Sequence, residues 1–253
     1  MKKWLLTGAL VMSAIALGAC SQETTGEEKK TLVMGTSADY FPYEFVDTAN
    51  GDAIVGFDIE IAETISERLG YELKIEDMDF GSLLGALNAG RVDFVMAGMT
   101  PTEERKQNAA FSDIYLSATN LIMSKDESLQ SIEALAGKKI GVQTASIQEN
   151  IAKEQAPDAE LVSLNKIPEI VQELNTGRID AMVIEDTVAQ KYLDQDQGFY
   201  TFALKEDGEK GSAAAFKLDD DLRDQFNDEL QKMMESGEID ELTKKWFSME
   251  PTE

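Results

Sequence analysis

The sequence predicts an α/β protein made of two similar lobes. From Thr31 onward, short apolar segments alternate with segments of helical periodicity, which is typical of strands joined by helices in a largely parallel sheet. The segment LNAGRVDFVM (87–96) also returns as LNTGRIDAMV (174–183) without a gap. This separation is far longer than the period of a solenoid, so two similar lobes explain it, although convergent helix-ending chemistry is an alternative.

The first half of the chain predicts a βαβαβ unit. Its first helix is marked by Ile61, Ile65 and Leu69 at a spacing of four, and Gly70 ends it. Gly90 ends the second helix, before a buried strand. The predicted strands are 31–36, 71–75 and 92–97, and the predicted helices are 58–69 and 82–88.

The second half predicts the same succession of elements. Its strands are 140–143, 160–164 and 179–185, and its helices are 147–154 and 167–175. A long helical pattern at 222–247 comes next, interrupted at Gly237, and its apolar face indicates a helix pair packed on a lobe. The acidic run 219–221 lacks the glycine and the spaced ligands of a calcium loop, so we interpret it as the start of this helix.

The N-terminus has the order of a secretory signal peptide. Two lysines precede an apolar segment at 4–17, which is shorter than the roughly 20 apolar residues of a membrane-spanning helix. Cys20, the one cysteine of the sequence, comes after two small residues, as in a bacterial lipobox whose thiol carries lipid. We predict a lipoprotein signal peptide at 1–19, lipid such as palmitate on Cys20, and a polar tether at 20–30. A signal anchor and a chance cysteine are the alternatives.

The composition excludes several classes of function. A formal net charge of −25 repels nucleic acid and anionic lipid. Because the sequence has no histidine, it has no Ser-His-Asp or Cys-His catalytic set and no histidine-based zinc site. Chemistry by aspartate and glutamate stays open. We expect no nucleic-acid partner, no metal and no cofactor.

The segment after the predicted strand 92–97 combines several features of an anion site. Thr100 is predicted as the N-cap of a helix, with Pro101 at its first position and Glu103 completing a capping box. The carboxyl end of a strand is where α/β sheets bind ligands, and Arg105 can offer a bidentate fork to a carboxylate there. A well-capped helix with a surface arginine is the alternative.

Other strand ends carry further candidate ligand groups. The aromatic segment 39–45 (DYFPYEF) comes after the first strand and Phe80 after the second, and such rings can cover an aliphatic chain or stack on a guanidinium. The polar segment 143–149 (QTASIQE) leads into a helix whose first amides can bind a carboxylate oxygen. Glu185 and Asp186 end the last strand, where a carboxylate can hold an ammonium group.

Together these motifs resemble solute-binding family 3, the polar amino-acid-binding proteins of ATP-driven importers. The likeness covers essentially residues 31–247 and is carried by DYFPYEF, VGFDIEIAETISERLG, MDFGSLLGALNAGRVDFVMAGMTPTEERK, FSDIY, GVQTASIQE, GRIDAMVIED and KKWF. It implies a periplasmic-binding-protein-like fold of type II, with two α/β lobes and two crossover hinge strands. The expected first lobe is 31–116 plus 209–253, and the expected second lobe is 117–208.

The resemblance also implies roles for individual residues. Arg105 would hold the α-carboxylate of the ligand, helped by the amides of Thr100 and Ile147. The Gly98 carbonyl, the Thr100 hydroxyl and Glu185 would hold the α-ammonium. Two rings would sandwich the side chain. The full expected ligand set is Ser37, Tyr40, Phe80, Gly98, Met99, Thr100, Arg105, Gln143, Ser146, Ile147 and Glu185, in which Tyr40 and Phe80 are the two rings.

Three positions depart from the family pattern. Ser37 stands where many members carry an aspartate that reaches the distal group of the ligand. Residues 145–147 read Ala-Ser-Ile in place of Gly-Thr-Thr, so one hydroxyl is missing. The acid for the ammonium is Glu185 in place of aspartate, and Asp186 is a close competitor.

The expected function is an extracytoplasmic amino-acid-binding protein, anchored through Cys20 to the cell membrane, that works as a monomer with an ABC permease. Glutamine, arginine or lysine, and cystine are the candidate ligands. A dehydratase acting through its acids and Arg105 is one alternative. A sensor or surface adhesin is another.

Overall fold

A computed structural model of the chain describes residues 30–195, 198–205 and 210–248. The predicted signal peptide (1–19), Cys20 and the tether up to residue 29 lie outside the described residues. Within the described ranges, no helix is both long enough and apolar enough to cross a membrane.

Strands and helices alternate along the described chain. The strands are β1 (Lys30–Thr36), β2 (Asp39–Tyr40), β3 (Glu44–Asp47), β4 (Ala53–Val55), β5 (Tyr71–Asp77), β6 (Phe94–Val95), β7 (Ala110–Phe111), β8 (Asn120–Ser124), β9 (Lys139–Gln143), β10 (Glu160–Leu164), β11 (Ala181–Glu185), β12 (Tyr200–Ala203) and β13 (Ala215–Phe216). The helices are α1 (Phe57–Arg68), α2 (Leu83–Asn88), α3 (Glu103–Lys106), α4 (Ile147–Gln155), α5 (Ile167–Asn175), α6 (Asp186–Asp194), α7 (Asp221–Ser236) and α8 (Glu238–Phe247).

Two mixed sheets form the two lobes. The first has the order β5-β1-β6-β13-β7 and the second has the order β10-β9-β11-β8-β12. In each sheet the first three strands are parallel, as the βαβαβ pattern predicts, and the other two are added by antiparallel pairing. The sheets are therefore mixed, whereas the sequence predicted largely parallel ones. The first sheet takes its strands from residues 30–111 and 215–216 and the second from 120–203; the exact lobe boundaries stay a prediction.

Most predicted elements are confirmed to within one or two residues. The helix predicted at 58–69 is α1, and Gly70 lies after it with a φ of 81°. The strand predicted at 92–97 pairs only over β6, although most of its length is buried. The antiparallel ribbon β2-β3-β4 and the helix α6 were not predicted.

The segment that occurs twice, called here the repeated segment (87–96 and 174–183), makes the same contacts in both lobes. Gly90 and Gly177 both have a left-handed φ, of 72° and 71°. Asp93 accepts a hydrogen bond from the Val33 amide at 2.8 Å, and Asp180 accepts one from the Lys139 amide at 2.8 Å. The aspartate thus ties the start of β6 to β1 in the first lobe and the start of β11 to β9 in the second. The repeat is structural.

The chain crosses between the lobes twice, and the two crossings run side by side. It leaves the first sheet after β7 and returns before β13. The Ser212 amide donates to the Leu116 carbonyl at 2.8 Å, and the two residues form an isolated antiparallel bridge. Gly211 is required here because a Cβ atom would lie 2.2 Å from the Leu116 oxygen.

The C-terminal helix pair packs on the first lobe. Asp220 caps α7 by accepting from the Leu222 amide at 2.9 Å, so the acidic run begins a helix, as the sequence indicates. Gly237, with a φ of 85°, separates α7 from α8. Both helices contact α1. Trp246 of α8 is buried and donates to Glu60 of α1 at 2.7 Å.

Candidate functional site

A small cavity lies between the lobes, where the carboxyl ends of the parallel strands of both sheets meet. This is the place at which open α/β sheets bind ligands. Its lining includes nine of the eleven residues expected from the sequence. These are Ser37, Tyr40, Phe80, Gly98, Thr100, Arg105, Gln143, Ser146 and Ile147.

Arg105 is the one basic residue among the described residues that line the cavity. Its guanidinium donates to the Thr100 carbonyl at 2.8 Å and, across the gap between the lobes, to the Ala145 carbonyl at 3.1 Å. The Phe80 ring lies 5.2 Å from the guanidinium carbon. Burial lowers the pKa of Arg105 to about 10, which still leaves the side chain positively charged at neutral pH.

The predicted cap of the helix that carries Arg105 is wrong. The N-cap is Thr102, whose hydroxyl accepts from the Arg105 amide at 3.3 Å, and helix α3 has only four residues. Thr100-Pro101-Thr102 offers two threonines as possible caps, and the hydroxyl of the second one is the group that accepts from a helix amide. The capping box with Glu103 therefore does not form. Thr100 lines the cavity instead.

Two neighbours, Tyr40 and Asp58, constrain the residue type and the backbone at Gly98. Its φ is 55°, and a Cβ atom on it would lie 2.9 Å from the Tyr40 ring, so only glycine fits under that ring. Its amide donates to Asp58 at 2.9 Å, and Asp58 also accepts from the Tyr115 hydroxyl at 2.8 Å. Asp58 is fully buried, and this burial raises its pKa to about 7.

The second lobe contributes amides and hydroxyls to the cavity. Ser146 caps α4 by accepting from the Glu149 amide at 3.2 Å, and its hydroxyl donates to the Gln143 carbonyl at 2.7 Å. The Gln143 side chain donates to the Asn165 carbonyl at 3.1 Å. Ala145 has a φ of 61°, which is uncommon for a residue with a Cβ atom.

The two acids at the end of β11 have different partners. Glu185 is buried and accepts hydrogen bonds from the hydroxyls of Tyr43 and Thr187. Burial raises the pKa of Glu185 to about 7, against the lowering effect of these two bonds. Asp186 instead holds Thr119, accepting from its amide at 3.2 Å and from its hydroxyl at 2.6 Å. Both oxygens of Asp186 thus bind Thr119, in the segment where the chain crosses from the first lobe to the second.

Two expected residues are not among those that line the cavity. Glu185 lies behind the cavity against Tyr43. Met99 is buried in the apolar cluster on one side of the first sheet, and its carbonyl accepts from the Ala213 amide at 2.9 Å. Its side chain packs in the core. Whether the eleven residues bind a ligand stays a prediction.

Four lining residues were not predicted: Asp39, Glu44, Ala97 and Gln148. Glu44 is completely buried on β3, and neither of its carboxylate oxygens has a hydrogen-bond partner among the described residues. The available signal was an acidic residue inside an aromatic segment. Gln148 is buried in α4 and donates to the Asn120 side chain at 2.7 Å.

Several contacts hold the lobes together around the cavity. Asp39 of the first lobe accepts from the Ile167 amide at the start of α5 at 3.1 Å. Asn165 donates to Asp79 at 2.9 Å. Burial raises the pKa of Asp39 to about 6, although the bond from Ile167 opposes that rise. The structure is therefore a closed arrangement of the two lobes.

The sequence and the structure both match known proteins. The profile of the family "Bacterial extracellular solute-binding proteins, family 3" matches residues 32–249. The arginine-binding extracellular protein ArtP of Bacillus subtilis is 46% identical over 258 residues, which cover 99% of this chain and 100% of ArtP.

Two solved structures show the same architecture with different ligands. The amino acid ABC transporter substrate-binding protein AbpA of Streptococcus pneumoniae, bound to L-arginine, superimposes with a TM-score of 0.82 at 34% identity, over 87% of this chain and 95% of that one. An ancestral arginine-binding protein bound to glutamine gives a TM-score of 0.79 at 37% identity, over 87% and 98% of the two chains.

Proposed function

The chain belongs to the bacterial extracellular solute-binding proteins, family 3, and we propose that it binds a free amino acid between its lobes for an amino acid ABC transporter. The observation that carries the proposal is the charge pattern of the cavity. One half-buried base, Arg105, lines the cavity together with two acids, the half-buried Asp39 and the buried Glu44. A zwitterion matches this pattern.

Arg105 is the group that would hold the α-carboxylate. A guanidinium can donate two parallel bonds to a carboxylate, and it prefers that charged acceptor to the carbonyl oxygens of Thr100 and Ala145 that it contacts now. The ligand would therefore replace weak contacts with a charge-assisted pair. The bound carboxylate would also bridge the lobes, because Ser146, the N-cap of α4 in the second lobe, lies next to Ala145, which Arg105 contacts across the gap.

The α-ammonium would be held by the Gly98 carbonyl, the Thr100 hydroxyl and Glu185. Glu185 is a better candidate than Asp186 because both oxygens of Asp186 already hold Thr119. The Tyr43 and Thr187 hydroxyls can stabilise the ionised form of Glu185 beside a cation.

Capture requires motion of the lobes. The free space in the closed cavity is about 10 Å³, which is near the minimum for one water molecule. A ligand thus enters only when the lobes move apart and the contacts of Asp39 and Asn165 break. Closure then desolvates both charged ends, and the closed form docks on the permease as a monomer. No catalytic step is part of this proposal.

The relatives differ in the side chain of the ligand that they bind. ArtP is named as arginine-binding and AbpA is bound to L-arginine, whereas the ancestral arginine-binding protein is bound to glutamine. They share the α-amino-acid frame, so the class of ligand rests on that frame alone.

The test of this function is calorimetric titration. The protein without residues 1–30 is unfolded, refolded to remove bound ligand, and titrated with the twenty amino acids, ornithine and cystine. We expect saturable binding of one or a few of them, near micromolar or tighter, which corresponds to about −8 kcal/mol. A folded protein that binds none of them contradicts the proposal.

We also propose that Cys20 carries lipid, which anchors the protein to the outer face of the cell membrane. A single acyl chain binds a membrane only marginally, whereas two lipid groups on one protein anchor it stably. Cells that express the full chain should incorporate labelled palmitate into it, and Cys20→Ser should remove the label and release the protein from the membrane fraction. An unlabelled wild-type protein contradicts the lipid anchor.

A further inference from the structure

We propose that Asp58 and Tyr115 are positioning residues, whose hydrogen bond couples the ligand cavity to the crossings between the lobes and stabilises the closed form around a bound amino acid. Neither is among the described residues that line the cavity. The inference rests on the proposed function and concerns how ligand binding is linked to closure of the lobes.

Asp58 joins three segments that are distant in the sequence. It lies in the first turn of α1 and is 0% exposed. Its Oδ2 accepts from the Gly98 amide at 2.9 Å and from the Tyr115 hydroxyl at 2.8 Å. Its own amide donates to the Tyr43 carbonyl at 2.9 Å. Asp58 therefore holds together the aromatic segment 39–45, the chain that follows β6, and the first crossing.

The chain that follows β6 is tied to both crossings. The Gly98 amide reaches the first crossing through the carboxylate that it shares with Tyr115. The Met99 carbonyl accepts from the Ala213 amide of the second crossing at 2.9 Å. The crossings also bind each other at this level, since the Tyr115 amide donates to the Ser212 carbonyl at 3.0 Å. A rotation at the crossings therefore acts on this part of the cavity wall.

The bond between Tyr115 and Asp58 is buried at both ends. Tyr115 is 4% exposed, and its ring packs on Phe57 with 6.0 Å between the ring centroids. The second oxygen of Asp58, Oδ1, is buried without a hydrogen-bond partner among the described residues. The donors on Oδ2 thus supply the hydrogen bonds to this carboxylate that the structure shows. A buried carboxylate that loses a donor loses more than an exposed one.

These contacts bear on the ligand through the Gly98 carbonyl, which is proposed to hold the α-ammonium. The Gly98 amide before this carbonyl is held by Asp58, and the Met99 carbonyl after it is held by the second crossing. The direction of the Gly98 carbonyl is therefore set from both sides when the lobes are closed. A loosened Tyr115 bond should release one side and favour the open form.

A direct effect of the Asp58 charge on the ligand is the alternative explanation. Burial raises the pKa of Glu44, and the nearby Asp58 carboxylate raises it further, so the charge of Asp58 is felt at the cavity. Asp58→Asn separates the two effects, because an asparagine oxygen can still accept from Gly98 and Tyr115 but carries no charge.

The test measures the binding of L-arginine and of L-glutamine to the wild type and to Tyr115→Phe, by calorimetry and by stopped-flow fluorescence. Loss of the hydroxyl should weaken binding by at least about tenfold, almost entirely through faster dissociation, because closure follows the first encounter with the ligand. The matched control is Tyr71→Phe, which removes a hydroxyl from β5 at the edge of the first sheet and should leave affinity and rates within about twofold.

The conservative variant at the acceptor is the second part of the test. Asp58→Asn should keep the affinity of the wild type within about fivefold, whereas Asp58→Ala should lose at least as much as Tyr115→Phe. Equal losses in Asp58→Asn and Asp58→Ala would overturn the inference, because the charge and not the position of the acceptor would then matter.

Tyr115→Phe decides the question even where the variants of Asp58 do not fold. A purely structural bond would lower the melting temperature of Tyr115→Phe and leave its affinity and dissociation rate as in the wild type, and this result overturns the inference. An equal loss of affinity in Tyr71→Phe overturns it as well. A folded wild-type protein that binds no amino acid contradicts the proposed function itself, and with it the inference.

Discussion

The two lobes use the repeated segment for the same purpose and differ in the residues that the chain places after it. In each lobe its aspartate ties a buried strand to the neighbouring parallel strand, to β1 through Asp93 and to β9 through Asp180. The first of these strands leads to Gly98 and Arg105, and the second leads to Glu185. One copy thus leads to a base that lines the cavity, and the other leads to a buried acid behind it. The frame is common, and in the proposed function the charge that follows it gives each lobe its role.

The largest effect should come from removing the base. Arg105→Ala leaves the ligand carboxylate buried without a partner, which should weaken amino-acid binding by about 3–5 kcal/mol as measured by calorimetry. Arg178→Ala is the matched control, because Arg178 belongs to the repeated segment and pairs with Glu173 on the surface. Affinity within a few-fold of the wild type in Arg105→Ala, or an equal loss in Arg178→Ala, contradicts the assigned roles.

The buried acids Glu185 and Asp58 should make the stability of the ligand-free protein depend on pH. Burial raises the pKa of Glu185 and of Asp58 to about 7, so between about pH 4.5 and 7 the folded state holds more protons than the unfolded state. The contribution of these two groups to the unfolding free energy should therefore be largest at pH 4.5 and below, and should be lost as the pH rises to about 7, by about 1.4 kcal/mol per group and pH unit.

Urea unfolding at pH 5, 6, 7 and 8 and constant ionic strength measures this dependence. The general repulsion of a strongly acidic chain gives the same sign, so Glu185→Gln serves as the control. It should flatten the dependence. A slope that is unchanged in Glu185→Gln means that this carboxyl group does not cause the effect.

The hydrogen bond that the aspartate of the repeated segment accepts can be removed in one lobe at a time. Asp93→Ala and Asp180→Ala each leave a strand amide without its acceptor, which should cost about 1–3 kcal/mol of stability. We expect the larger loss for Asp93, whose bond is partly buried, than for Asp180, whose bond is exposed. Chemical denaturation measures the loss. The reverse order would show that the two copies do not stabilise their lobes in the same way.

The smallest effect should come from the exposed contact between Asn165 and Asp79. Because this bond joins the lobes, Asn165→Ala should weaken ligand binding by about 0.5–1 kcal/mol through loss of the closed form. Asn50→Ala is the control, since Asn50 makes a similar bond to Asp47 within one lobe. Equal effects of the two variants on affinity would argue against a role of Asn165 in closure.

The sequence predicted the parts of the site that depend on parallel strands. Arg105, Gly98 and Gln143 reach the cavity because strand ends in such sheets meet at one edge, and that rule needs only the order of the elements. Tyr40 and Phe80 were also found in this way.

The parts that the sequence did not predict come from contacts between distant segments. Glu44 was missed because β2, β3 and β4 are short antiparallel strands whose pairing brings an acid from an aromatic segment to the cavity. The cap is at Thr102 and not at Thr100 as predicted, because the segment contains two threonines and the capping pattern alone does not distinguish them. Met99 was assigned to the ligand by likeness alone, and its place in the core depends on packing.

A crystal structure of the protein grown with L-arginine would test the division of charge between the two lobes at atomic detail. We expect the ligand between the lobes, with its carboxylate on Arg105 and its ammonium toward the Gly98 carbonyl and Glu185. An arginine bound in the reverse direction, or density for it only outside the cavity, would contradict that division.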